Sequence, residues 1–444
     1  MYTGLARLLS IAYDNLVERR VYECRRFLEK TQWLKKEELQ RLQFMRLRAL
    51  LRHAYENVPY YHEVFRKANL RPDSFKSLED LSKVPVLKKS VVRENLDKMV
   101  AKNFSAKNLV SWKTSGTTAA PLEFYRTKSD LSWAIGAELR GYSWAGYKIG
   151  DKVALIWRFA QEQTRAFKFR ISHLLKRNRI LNVATISEGS MRSFAQRMHR
   201  TKPDFIRGYA SSTNLFATFM LQNKHFKVCP KAVFTTGETL FPHYRRTIEE
   251  AFKCKVYDYY ASNEMSHMAA QCGQHEGLHI TEENVFLEIV KDDESASSGE
   301  EGKIVLTNLH NFGMPLIRYD VGDLGTVFSD TCSCGRELSL VKPVGRIYEY
   351  FADRNETFTY LRDFQTIFED LPIQDFQVVQ ESRDEIVIKI VRRPGYSKAH
   401  TNFILKNVKY FGQSKVKVEL VNSIPLEKSG KIRHNVSKLS TKYT

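Results

Sequence analysis

Apolar residues recur at three- and four-residue spacing through "LQRLQFMRLRALLRHAYENV", residues 39–58, the signature of one buried helical face. The spacing predicts helix over residues 15–70 with a stop at Pro59, within a helical lead of about residues 1–70. Further along, the period changes. "DKVALIW" (151–157) and "KAVFTTGE" (231–238) are short apolar runs ending in polar or glycine turns, as buried strands do. "HYRRTIEEAFK" (243–253) returns to helical spacing, and "KVYDYYASNE" (255–264) is a strand running into a polar loop. Strand, helix and strand in alternation argue for a mostly parallel sheet flanked by helices. Such sheets bind ligands at the carboxyl ends of their strands.

After residue 280 the texture shifts to "VFLEIV", "GKIVLTNL" and "LGTVF", short strands with turns that read as an antiparallel or barrel-like piece. The last 95 residues or so carry "FQVVQ", "EIVIKIV" and "KVKVELV" with one helix, a small α+β domain. The fold class expected is α/β, with helix-flanked, mostly parallel sheets and a barrel-like β piece in a large N-terminal domain. The expected boundaries are 1–344 for that domain, 345–350 for a hinge within "VKPVGRIYEYF", and 351–444 for the small C-terminal domain.

At 444 residues, with 43% hydrophobic and 27% charged residues, the chain has the makings of a globular protein of two or three domains. Six cysteines are too few for a disulfide scaffold in a chain this long. No apolar run approaches the roughly 18 residues that span a bilayer, and the first twenty residues do not read as a signal peptide. A cytoplasmic protein is expected. The net charge of +20 points to nucleic acid, an anionic membrane face or an acidic substrate. Basic residues gather between Arg158 and Arg179 with Phe159, Phe167 and Phe169 among them, a solvated helical face or a docking surface for phosphates or acidic glycans. No recognition motif for nucleic acid accompanies them, so no nucleic-acid partner is expected.

The candidate chemistry lies in polar clusters at expected strand ends. "TSGTTAAP", Thr114–Pro121, packs hydroxyls around a glycine. It is a surface turn or a phosphate cradle, and it lacks the Gly-Lys-Ser/Thr of a P-loop. "TTGETL" (235–240), "YDYYASNE" (257–264), "MPLIRYDVGDLG" (314–325) and "IPLEKSGKIRHN" (424–435) follow in that order. Each alone is an ordinary turn or capped strand end. The ordered set from about Leu42 to Lys431 resembles the adenylate-forming enzymes, and most closely their phenylacetate–coenzyme A ligase-like branch with its capsule-biosynthesis, CapK-type proteins. "NVPYYHEVF" and "SLEDLSKVPVLKK" near the front share that branch's look.

The resemblance implies ATP-dependent activation of a small carboxylic acid through an acyl adenylate, with transfer to coenzyme A or an amine or hydroxyl acceptor. It implies a mobile C-terminal lid, magnesium, and a role in cell-surface polysaccharide or secondary metabolism, with peripheral contact to anionic membrane or polysaccharide machinery. Thr114, Ser115, Gly116, Thr117 and Thr118 would wrap the β- and γ-phosphates. Gly237, Glu238 and Thr239 would border the adenine, Tyr260 would stack on it, and Asp258 and Tyr259 belong to the same nucleotide-binding stretch. Asp323 would accept from the ribose hydroxyls, Arg346 would contact the nucleotide, Glu264 would hold magnesium, and Lys431 would reach in as the catalytic cation.

Departures from the branch's pattern are Ala119, where glycine is usual, Asn263, where threonine is usual, and Gly345-Arg346-Ile347-Tyr348-Glu349 at the hinge. They leave a second reading, a catalytically weakened homologue acting as a binding or scaffold subunit of a polysaccharide assembly system.

"HEGLH", His275–His279, fits a metallopeptidase pattern, but Gly277 and the strand-like sequence after it deny the helix that chemistry needs. Cys332 and Cys334 form a Cys-x-Cys knuckle that Cys272 and His279 complete to a tetrahedral set, with His275 as the alternative nitrogen. The branch often carries this set, which implies structural zinc.

Overall fold

The structure is a computed structural model that describes residues 12, 20–113, 122–159, 173, 178–328, 331–346, 350–352, 358–360, 364, 367–408, 415–427 and 429–439. The hydroxyl-rich stretch 114–121 and most of the basic segment 158–179 lie outside the described residues. The chain forms two compact units, Met1–Asp151 with Tyr257–Val344, and Lys152–Val256 with Gly345–Thr444.

In the first unit the helix Lys36–Asn57 buries Leu39, Leu47, Leu50, Leu51 and Ala54 on one face. Its first turn carries Glu37 and Glu38, favourable at a helix N-terminus, and Glu38 accepts from the Lys35 N–H at 3.0 Å. This helix ends at Asn57, at the stop expected before Pro59, but the described residues between 20 and 70 form three helices rather than one. Val58 is extended, as a residue before proline prefers, and Pro59 opens a new helix, Pro59–Lys67, from its first turn. A separate helix, Val21–Thr31, precedes both.

The antiparallel strands expected after residue 280 run together in this unit's sheet. Its order is Glu294–Ser295, Val285–Lys291, Gly302–Asn308, Tyr319–Phe328, Leu340–Arg346, Leu278–Ile280, Ser266–Gln271, then Lys255–Ser262. A hairpin of Leu109–Lys113 and Glu123–Thr127, with Lys113 opposite Glu123, frames the undescribed residues 114–121.

Buried charge is held in pairs at two points here. Arg140, from the helix Lys128–Ser143, donates to Glu283 Oε1 at 2.7 Å, both side chains being essentially inaccessible. The Thr31 hydroxyl reaches the same oxygen at 2.7 Å. Arg318 pairs with Glu288 at 3.1 Å in the same buried manner.

The second unit carries the parallel strands. Ala232–Thr236, Phe205–Tyr209, Val153–Trp157 and Arg179–Asn182 are neighbours in that order, all parallel. The helices Glu188–Thr201, Ala210–Gln222 and Pro242–Phe252 accompany them. The C-terminal part adds a four-stranded sheet ordered Lys415–Val421, Glu385–Arg392, Ile373–Ser382, Asn435–Ser437, with the helix Lys398–Val408. Both parts share one apolar core. Phe216 and Phe252 belong to it with Phe368, Phe376 and Ile388, and Phe241 meets Phe376 edge-on at 5.3 Å. No helix among the described residues is long and apolar enough to cross a membrane.

Removing the Glu283 carboxylate should strand a buried guanidinium. Glu283→Ala is expected to lower unfolding stability by about 3–5 kcal/mol, read from the urea midpoint. A loss under about 1 kcal/mol would mean that Arg140 finds another partner.

Candidate active site

In the second unit the strand Ala232–Thr236 ends at Gly237, whose φ of +80° suits glycine and turns the chain sharply. That turn places Glu238 against the start of the helix Ala210–Gln222. The Glu238 carboxylate accepts from the Ser211 N–H at 3.0 Å, the Ser211 hydroxyl at 2.7 and 2.9 Å, and the Ile432 N–H at 3.1 Å. Burial pushes the Glu238 carboxyl up, and the Lys431 charge opposes that shift. Lys431 Nζ donates to the Gly237 carbonyl at 2.6 Å and sits 5.1 Å from the Tyr209 ring centre. Tyr209 stacks on Trp157 at 4.3 Å, and Arg207 covers the Trp157 ring at 4.9 Å.

The loop bearing Lys431 is held by its own geometry. Gly430 has φ +82°, and any Cβ there would collide with Val183. The Ser212 hydroxyl donates to the Gly430 carbonyl. Gly237, Glu238 and Lys431 are thus brought together at the carboxyl end of a parallel strand, while Thr239 is exposed beside them.

In the first unit, strand alternation separates two adjacent tyrosines. Tyr259 turns into the core, edge-on to Tyr142 at 5.0 Å and to His267 at 5.2 Å. Tyr260 takes the other face and donates its hydroxyl to Asp323 Oδ2 at 2.7 Å. The register against Ser266–Gln271 shifts between Tyr260 and Ala261, the sort of bulge that re-aims side chains. The Asp258 N–H donates to Gln271 Oε1 at 3.0 Å.

Glu264 is buried, accepts from the Tyr319 hydroxyl at 3.2 Å, and has Lys89 Nζ 3.5 Å away. Lys89 arrives because Leu87 adds a short parallel bridge to Tyr319, with the Asp320 N–H donating to the Leu87 carbonyl at 3.0 Å. Arg346 is the last residue of the strand Leu340–Arg346.

A further cluster in this unit holds Cys272, His279, Cys332 and Cys334, whose ligand atoms all lie within 4.8 Å of one another. The strand Leu278–Ile280 lies between Leu340–Arg346 and Ser266–Gln271, with His279 opposite both Leu340 and Ala270. Cys272 and Cys332 sulfurs are 3.6 Å apart, and Cys334 Sγ is 3.4 Å from His279 Nε2. A tetrahedral zinc with thiolate and imidazole ligands has edges of about 3.8 Å (S–S) and about 3.6 Å (S–N), so these spacings fit the ion. His279 Nδ1 lies 3.3 Å from the Leu338 carbonyl, which leaves Nε2 for the cluster. Burial holds the His279 ring down to about 4, in the neutral form that metals bind.

His275 tilts against the Tyr257 ring instead and adopts a left-handed backbone, so "HEGLH" is not helical. Its Glu276 accepts from the Ser333 N–H at 2.9 Å, bracing the knuckle.

The chain is similar to known proteins along most of its length. The family model of the CapK C-terminal domain matches residues 353–438. Protein CapK of Staphylococcus aureus is 23% identical over 425 residues, covering 90% of this chain and 89% of its own. Phenylacetate-coenzyme A ligase of Escherichia coli K12 is 28% identical over 319 residues, covering 69% of this chain and 71% of its own. The crystal structure of 2-hydroxyisobutyryl-CoA ligase in its postadenylation state aligns with a TM-score of 0.77 at 23% identity, over 92% of each chain. The chain is thus similar in sequence to CapK and to the phenylacetate-coenzyme A ligases, and it shares the fold of 2-hydroxyisobutyryl-CoA ligase.

For this ligase-like chain, sequence reasoning did not single out Lys89, Ser211 or Tyr319. Lys89 stood in "SLEDLSKVPVLKK", and a lysine there carries no signal until the Leu87 bridge delivers it to Glu264. Ser211 and Tyr319 are of common types and act only through contacts distant in sequence.

The Gly430 turn generates a direct test. Gly430→Ala should lower stability by roughly 1–3 kcal/mol through its left-handed backbone alone, with the clash against Val183 adding to that. An unchanged urea midpoint would show that the loop does not seat as described.

Proposed function

We propose that this protein is an ATP-dependent carboxylate-activating ligase that forms an acyl adenylate and passes the acyl group to coenzyme A. The observation that carries the reading is the Lys431 ammonium, held 2.6 Å from the Gly237 carbonyl at the carboxyl end of a parallel strand. A point charge at that place serves a reaction whose difficulty is negative charge. The carboxylate oxygen attacks the α-phosphorus of ATP, the bond to the bridging oxygen breaks, and pyrophosphate leaves. Positioning and charge neutralisation are what the protein must supply.

Lys431 would neutralise charge at the transferring phosphoryl group, and Glu264 would hold magnesium, a hard cation suited to a carboxylate with phosphate oxygens. Asp323, already an acceptor for Tyr260, would receive the ribose hydroxyls, with Tyr260 against the adenine. Gly237 and Glu238 would border the base, with Thr239, Asp258 and Arg346 near the nucleotide. In the second half-reaction a thiol sulfur attacks the acyl carbon and AMP departs.

The relatives support this chemistry, being phenylacetate-coenzyme A ligases and a 2-hydroxyisobutyryl-CoA ligase. The relation to CapK supports a setting in cell-surface polysaccharide assembly. The cysteine–histidine cluster supports a structural zinc held by Cys272, His279, Cys332 and Cys334. A weakened homologue serving as a scaffold subunit is the second reading; the Lys89–Glu264 pair favours it, because Lys89 already neutralises the carboxylate that magnesium would take.

Two outcomes are expected. Lys431→Ala should slow pyrophosphate release by roughly 10²- to 10³-fold, with stability changed by no more than about 1 kcal/mol and transfer from a supplied acyl adenylate retained. Equal rates for variant and wild type would remove Lys431 from the reaction, and a wild type that binds ATP yet is inert with every acid would support the scaffold reading. Elemental analysis should also find one zinc per chain, and Cys332→Ser/Cys334→Ser should lose it and melt at least about 5 °C lower. Metal-free protein of unchanged melting temperature would refute the zinc site.

A further inference from the structure

We infer that Tyr244, Asp375 and His434 form a buried polar latch that positions the Lys431 loop for acyl-adenylate formation, an inference that rests on the carboxylate-activating reading above. Tyr244 belongs to the helix Pro242–Phe252, which begins five residues after Gly237. Asp375 belongs to the strand Ile373–Ser382, and His434 follows Lys431 by three residues. The Tyr244 hydroxyl donates to Asp375 Oδ1 at 2.8 Å and lies 2.8 Å from His434 Nε2. His434 Nε2 is in turn 3.1 Å from Asp375 Oδ1, closing a triangle of polar atoms. All three residues are buried.

Nothing in the proposed chemistry uses these groups, and a polar cluster this dry is costly unless each member keeps its partners. Burial, and then the Asp375 charge, push the Tyr244 hydroxyl well above the ordinary phenol range, so it stays a donor. The walls are apolar and tight: the His434 ring is 4.7 Å from Phe241 and 5.0 Å from Phe376. The other charged and titratable neighbours include Glu238, whose charge also acts on Tyr244, and His243, held down to about 3 by burial, with Arg246 and Arg393 beyond it.

The latch reaches Lys431 through backbone. The Val378 N–H donates to the His434 carbonyl at 2.7 Å, fixing the loop to the C-terminal sheet. Two residues before His434, the Ile432 N–H donates to Glu238. The Glu238 clasp and the Tyr244 latch therefore both hold the chain that directly follows Lys431, at Ile432 and at His434, while Ser212 holds Gly430 before it. Glu238 and Tyr244 both belong to the segment that follows the strand Ala232–Thr236. Losing the Tyr244 hydroxyl would free the His434 end of the loop, and a misplacement of about 1 Å in a reacting group costs on the order of 10²-fold in rate.

Tyr244→Phe tests this, because the ring remains in its aromatic wall and only the hydroxyl is lost. Hydrogen exchange at residues 429–437 should rise at least about tenfold, with the strand Lys255–Ser262 unchanged. Exchange that is unaltered at 429–437, or raised throughout the chain, overturns the latch. In the same variant pyrophosphate release should fall by roughly ten- to a hundredfold, while transfer from a supplied acyl adenylate to coenzyme A stays within about twofold. Equal loss in both half-reactions would also overturn it, because a merely structural defect would slow both. If wild type releases no pyrophosphate with any acid, the carboxylate-activating reading fails and with it the positioning role; the exchange data then still decide whether the three residues hold the loop.

Discussion

One contact organises the second unit's polar cluster, the Lys431 ammonium on the carbonyl of Gly237. A lysine near the end of a chain has no reason to stay in one place. Its side chain loses up to about 2 kcal/mol of rotamer freedom when fixed, and a single hydrogen bond barely offsets that. The surrounding structure offsets the rest. Gly430 supplies a turn that other residues would strain, Val183 fills the space a Cβ would need, and Glu238 holds the neighbouring amide of Ile432. Glu238 is therefore more than a border to a nucleotide. It joins the Gly237 turn, the start of the helix Ala210–Gln222 and the lysine loop through one carboxylate.

The first unit follows a related logic with different parts. Its polar groups are fixed by strand alternation and by one short bridge rather than by a loop closing on itself. Tyr259 is spent on the core, and Tyr260, one residue later, is thereby delivered to Asp323. Leu87 pairs with Tyr319 and so brings Lys89 toward Glu264. The cysteine–histidine cluster lies where three strands meet the Cys332–Cys334 knuckle. Its four ligand atoms lie within 4.8 Å of one another, and an ion held there would tie residues 272–279 to 332–334 without a large apolar core.

How much of this was legible in the sequence varied with the range of the interaction. The parallel strands and the C-terminal sheet were legible because "DKVALIW", "KAVFTTGE" and "EIVIKIV" carry their period locally. The Cys-x-Cys knuckle stood out because cysteine is scarce in the chain, and the resemblance to the ligase-like branch then pointed to Cys272 and His279. The stop at Pro59 was legible, because the residue before a proline is driven to extended backbone, but the new helix that Pro59 opens was not. The Tyr244–Asp375–His434 triangle left no trace. Its members are 131 and 59 residues apart, each is of a common type, and only the packing of the C-terminal sheet on the helix Pro242–Phe252 makes them one group.

The central claim is that the chain makes a discrete acyl adenylate before any thiol takes part. Exchange of labelled pyrophosphate into ATP, run across a panel of carboxylic acids without coenzyme A, tests it most directly. The account predicts that at least one acid supports rapid exchange dependent on magnesium and on that acid. Exchange that requires the thiol, or that no acid supports while ATP still binds, would contradict it.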